Sequence, residues 1–158
     1  MKNNVIIFTM FLFSILFSYQ AVAGDKVLMA DEVNDLVSNR TITIAETEPD
    51  KKTGKKTTLT AYFSELGGAR AIYPDGSSEN YSWSVDKNGS LCALNNKRWG
   101  RGMCGFVMTK GNSTYNFYRD KSGSKKPAMR DGRAVPTRHW KHELTFSNLR
   151  SGEHLKRK

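Results

Sequence analysis

The chain has only two cysteines, four prolines and three histidines in 158 residues. It contains no C-x-x-C pair and no C-x-x-C-H, so cysteine offers neither a zinc ribbon nor a haem attachment site. No G-x-S-x-G elbow, P-loop or dinucleotide fingerprint occurs, and no pair of carboxylates stands in a context that singles it out. The serines therefore lack the surroundings of an activated nucleophile, and a hydrolase reading has no residue to rest on. After residue 17 no stretch approaches the ~20 apolar residues that a helical membrane span requires.

What the sequence does have begins at its N-terminus. Met1-Lys2-Asn3-Asn4 forms a short positive segment, and Val5 to Phe17 is apolar apart from Thr9 and Ser14. Ala21-Val22-Ala23 follows, the small-residue pattern read by signal peptidase. Residues 1–23 are expected to be a signal peptide and residues 24–158 a single β-rich domain. An uncleaved anchor helix is the competing reading, disfavoured by the shortness of the run and by the polar Ser18, Tyr19 and Gln20. An exported chain with an even number of cysteines points to one disulfide, Cys92–Cys104.

The net charge of +10 is unevenly placed. Residues 24–120 carry 13 Lys and Arg against 12 Asp and Glu, whereas residues 121–158 carry 11 against 3, a net of +8. Such a basic C-terminal quarter suits contact with an anionic partner, and for an exported protein an envelope lipid or polymer fits better than nucleic acid. A solvated tail that keeps the protein soluble accounts for the same counts.

Helical periodicity is confined to Val27–Val37, where Val33, Leu36 and Val37 share a stripe, Asp31 and Glu32 suit a first turn, and Asn39 can take the left-handed conformation that ends a helix. From Thr41 onward the period is two. Candidate strands are Thr41–Ile44, Thr58–Phe63, Ala69–Tyr73, Tyr81–Val85, Leu91–Leu94, Met103–Thr109, Thr114–Arg119 and Glu143–Phe146. Gly67-Gly68, Pro74-Asp75-Gly76, Asn88-Gly89 and Gly111-Asn112 supply turns between them. The expected fold is mainly β: a small antiparallel meander closed, or nearly closed, into a lipocalin/calycin-like barrel, with one short N-terminal helix and one disulfide. A flatter sheet packed on the helix is the alternative. Glu48–Lys56 reads as an exposed hairpin tip, and Lys121–Pro136 as a long mobile or ligand-facing loop.

Two groups of residues are candidates for binding an anion. Lys97, Arg98, Trp99 and Arg101 lie between the cysteines, where cations flanking an indole could pair and stack with a ligand. Trp99 folded back as a hydrophobic plug explains the same segment. Lys125, Lys126, Arg130 and Arg133 form the second group. His139 and His142 lack the further ligands that a zinc site needs, so no metal and no cofactor is expected.

Taken in order, these motifs resemble a family of small exported bacterial proteins, domain of unknown function 995. Ala30–Leu36 with Asn39-Arg40-Thr41 is similar to its helix, turn and first strand. Tyr81-Ser82-Trp83-Ser84-Val85 with Gly89-Ser90-Leu91-Cys92 is similar to its W-x-V…G-x-L/M-C segment. Cys104, Phe106, Val107, Tyr115, Phe117 and Tyr118 resemble the two strands that follow, and Glu143-Leu144 with Leu149–Glu153 a closing E…L-R-x-G-D/E pattern. The resemblance implies a bacterial periplasmic or secreted domain with Cys92 and Cys104 paired, and brings no activity or catalytic residues. The functional expectation is a non-enzymatic binding module for an anionic or small apolar ligand, or else an envelope-associated structural or stress protein held to anionic surfaces by residues 121–158.

Overall fold

The computed structural model describes residues 25–49, 53–94, 102–121 and 127–155. One helix, α1 (Ala30–Val37), precedes β1 (Arg40–Glu46), β2 (Thr58–Phe63), β3 (Gly68–Ile72), β4 (Ser78–Val85), β5 (Ser90–Leu94), β6 (Met103–Gly111) and β7 (Thr114–Asp120). The short pair β8 (Met129–Arg130) and β9 (Arg133–Ala134) follows, and the long β10 (Trp140–Ser151) ends the series.

Eight of these strands form a closed antiparallel barrel in the order β1-β10-β7-β6-β5-β4-β3-β2, which excludes the flat-sheet alternative. Each strand except the closing pair neighbours its sequence neighbour, as short connections favour. Closure comes from β1 and β10, with Arg40 opposite Ser151 and Ile44 opposite Phe146. The turns at Gly67, Gly76, Gly89 and Gly111 all have positive φ, and so does Asn39 after the helix, as the sequence anticipates. Cys92 and Cys104 are directly opposed on β5 and β6 and are joined by a disulfide.

Alternation sorts the side chains. Ile42, Ile44, Leu59, Ala61, Phe63, Tyr81, Trp83, Leu91, Val107, Phe117, Leu144 and Phe146 fill the interior, joined by Val33, Leu36 and Val37 of α1. Trp83 is only 8% exposed, and its indole N–H donates to the Ser64 carbonyl at 2.9 Å. Gly105 lies beneath the Phe117 ring. A Cβ there would meet the Tyr118 carbonyl and come within 2.6 Å of Phe117 Cζ, so a large inward ring on β7 requires a bare backbone on β6.

Because successive strands run in opposite directions, the short turns after β2, β4 and β6 gather at the end of the barrel that holds α1. The longer connections after β1, β3, β5 and β7 leave from the other end. Of the expected loop Lys121–Pro136, the described residues 128–135 are tied to one another and to the barrel. Val135 N–H bonds to the Ala128 carbonyl, β8 pairs with β9, and Ala134 is buried against Val27 and Phe106 on the outer wall. Its Arg133 reaches the start of the helix. There Lys26–Leu28 lies beside the half of β6 that β5 leaves uncovered, with Leu28 N–H bonded to the Val107 carbonyl and Thr109 N–H to that of Lys26.

Candidate functional site

The barrel interior is packed. Its cavity, between Tyr81, Met103, Phe117 and Phe146, holds about 20 Å³, space for a single water at most. The one polar side-chain group among these apolar neighbours is the Tyr81 hydroxyl, which is fully shielded and has no hydrogen-bond partner among the described residues. Burial, reinforced by Tyr73 and Glu79, pushes its pKa up. A buried hydroxyl without a partner costs free energy. Tyr81→Phe should therefore leave stability unchanged or raise it by about 1 kcal/mol in urea unfolding. A clear loss would reveal a partner for the hydroxyl.

The mouth at the helix end differs in size and chemistry. Helix α1 packs against β1 and β4 and covers only that side of the opening. On the side of β6, β7 and β10 an open cleft of about 780 Å³ remains. Four of its residues, Arg40, Thr109, Tyr115 and Leu149, stand at the strand ends on the inward-facing side. Leu28, Asp35 and Leu36 contribute from the helix side, and Asn112, Ser113, Ser147 and Asn148 form a polar rim. Both residues of the β6–β7 turn, Asn112 and Ser113, have positive φ, as has Asn148, where β10 breaks its alternation.

Two of the four charges in the cleft are neutralised internally. Lys26 Nζ contacts Glu32 at 2.7 Å, and Arg133 Nη1 contacts the same carboxylate at 2.6 Å. The Met29 N–H also donates to Glu32, as in a helix capping box. Burial alone would raise the Glu32 pKa, but the Arg133, Lys26 and Met29 hydrogen bonds outweigh it and hold the value at about 2. A carboxyl whose pKa is lower in the folded than in the unfolded chain adds stability above the unfolded value, and this is lost as pH falls through the folded one. Glu32→Gln should therefore be less stable than wild type at pH 7, with the gap closing between pH ~5 and ~2. Thermal melts across that range check the sign, and a gap independent of pH would contradict it.

The other two charges are Asp35, exposed on α1, and Arg40, half-buried at the start of β1. Arg40 donates to Ser151 Oγ at 2.9 Å. Neither Asp35 nor Arg40 has an ion-pair partner among the described residues.

The anion-binding candidates from the sequence fare differently. Lys97, Arg98, Trp99, Arg101, Lys125 and Lys126 lie outside the described residues. Arg130 is exposed, opposite Arg133 in the β8–β9 pair. Arg133 is not a free cation: besides Glu32 it donates to the Val27 carbonyl at 3.0 Å, so it clips β9 to the start of the helix. His139 and His142 do not come together. His142 stacks on Tyr118, and its Nε2 lies 3.0 Å from both the Leu144 carbonyl and Thr145 Oγ1. Burial, helped by Lys110, lowers its pKa. Trp140, between the two histidines in sequence, stacks on Phe106 at 4.8 Å. Among the described residues no three His, Cys, Asp or Glu side chains are grouped to hold a metal ion, and no helix is long and apolar enough to cross a membrane.

No family model, curated protein or solved structure matches the chain.

The cleft residues come from three separated segments, 26–40, 109–115 and 147–149, and no single motif spans them. One signal was present. Arg40 shares the parity of Ile42 and Ile44, and Tyr115 that of Phe117, so alternation already directs both toward the interior at strand ends.

Proposed function

We propose that the protein is an exported, non-enzymatic binding module that takes a small ligand bearing an anionic group in the helix-end mouth of its barrel. The observation that carries this reading is the half-buried Arg40 guanidinium, which lines a cleft of about 780 Å³ and has no ion-pair partner among the described residues. Clefts of roughly 300–1,000 Å³ with a few convergent polar groups are the usual size for small-ligand sites. A guanidinium offers five donors in a fork that fits carboxylate or phosphate, and Ser151 accepts from one of its nitrogens. The packed interior favours the mouth over the barrel core as the place for a ligand. The resemblance to domain of unknown function 995 and the leader-like residues 1–23 support a periplasmic or secreted bacterial setting.

Native mass spectrometry on protein recovered from an exporting host tests the reading. Wild type and Arg138→Gln, which removes an exposed cation that does not line the cleft, should carry the same non-covalent adduct. Arg40→Gln should not. An adduct that survives in Arg40→Gln, or none in any form, would overturn it.

A further inference from the structure

The reading above leaves one charge of the cleft unused. Lys26 and Glu32 satisfy each other, and Arg133 completes the Glu32 carboxylate. What remains facing solvent is one negative group, Asp35, and one positive group, Arg40, which are not paired with each other. A ligand with only an anionic group would satisfy Arg40 and be opposed by Asp35. A ligand carrying a cation and an anion at separate points would satisfy both. The rest of the cleft suits a backbone-like molecule between those points: Leu28, Leu36 and Leu149 give apolar surface, while Asn112, Ser147 and Asn148 offer amide and hydroxyl groups.

Resting on the proposed function, we infer that the cleft binds a zwitterion of the amino-acid or short-peptide class, its ammonium at Asp35 and its carboxylate at Arg40. Charge-assisted hydrogen bonds at both ends fix the orientation of such a ligand, and the Arg–carboxylate pair can be bidentate. Both charges belong to one short stretch of chain. Asp35 lies in the last turn of α1, and Ser38 and Asn39, with Asn39 in the left-handed conformation, turn the chain into β1 at Arg40. The two charges thus flank the helix-to-strand corner, Asp35 before it and Arg40 after it.

Calorimetric titration of the full exported chain with triglycine, N-acetyl-triglycine and triglycine amide tests the assignment. Triglycine should bind, and blocking either terminus should weaken binding about tenfold, the effect of losing one charged contact of modest strength. Asp35→Asn should weaken triglycine by a similar factor and leave N-acetyl-triglycine unchanged. Arg40→Gln should weaken triglycine and N-acetyl-triglycine alike. Asp35 is exposed, so its variant is expected to fold, and a thermal melt confirms it. If N-acetyl-triglycine binds wild type as tightly as triglycine and Asp35→Asn has no effect, the zwitterion assignment falls while the anion reading stands. If none of the three peptides binds but acetate or inorganic phosphate does, the result is the same. If none of the five probes binds, both fall.

Discussion

Replacing Trp83 with alanine should cost about 3–5 kcal/mol, the range for removing a large aromatic side chain from a packed core. Trp83 stands on β4 between Ser82 and Ser84, and alternation places its ring inside the barrel. There Phe63 meets it edge-on with ring centroids 6.0 Å apart. The loss has two parts. The cavity forfeits the packing against Phe63 and its neighbours, and the Ser64 carbonyl loses its indole donor beside the β2–β3 turn. Small domains have about 5–15 kcal/mol of stability in total, so this one substitution should bring the fold near its limit. The shift in urea midpoint at constant slope is the measurement. Trp99→Ala, in the segment between the cysteines, is expected to cost much less, and equal losses for the two variants would contradict the assignment of Trp83 as core.

The second large effect is expected from the disulfide. Cys92 and Cys104 close a loop with a sequence separation of 12, for which the chain-entropy model gives about 3 kcal/mol. The bond joins residues already opposed in the β5–β6 ladder, so it adds no new contact to the folded barrel and acts chiefly on the unfolded chain. Cys92→Ser/Cys104→Ser should lower the urea midpoint of wild type to the value that wild type shows in reductant. A difference between those two values would mean that serine at these positions perturbs the barrel itself. Alkylation of the non-reduced wild-type protein followed by intact-mass measurement should add nothing.

Much of the barrel was legible because its strands are half-buried and their turns are chemically explicit. Thr58–Phe63 and Tyr81–Val85 alternate cleanly, and Asn88-Gly89 lies where β4 reverses into β5. The strand that closes the barrel was harder to read. Only Glu143–Phe146 stood out, although β10 runs from Trp140 to Ser151. Its register shifts between His142 and Leu144, and Asn148 has positive φ, so the alternation is interrupted twice. Irregularities of this kind erase the period on which strand recognition depends.

The Arg133–Glu32 pair illustrates a different limit. Its partners are 101 residues apart, and nothing local marks either as a contact. By sequence the basic quarter is one field, yet Arg133 is bound to Glu32 and Lys121 to Glu143. Net charge counts residues and is blind to which of them are already neutralised. The cleft leaves no trace in the sequence for a related reason. It is an absence of packing where α1 covers only part of a mouth, and such a space has no motif.

A ligand that enters the helix-end mouth through Arg40 should leave the packed interior unchanged. Amide and Arg side-chain NMR spectra of the isotopically labelled protein, titrated with acetate and then inorganic phosphate, decide the point. Saturable shifts are expected at the Arg40 side chain, Tyr115 and Asn148, none at Ala61 and Val107, and the saturable response should be lost in Arg40→Gln. Shifts confined to exposed cations of the C-terminal quarter, such as Arg130 and Arg138, with Arg40 unmoved, would contradict it and favour attachment to an anionic surface instead.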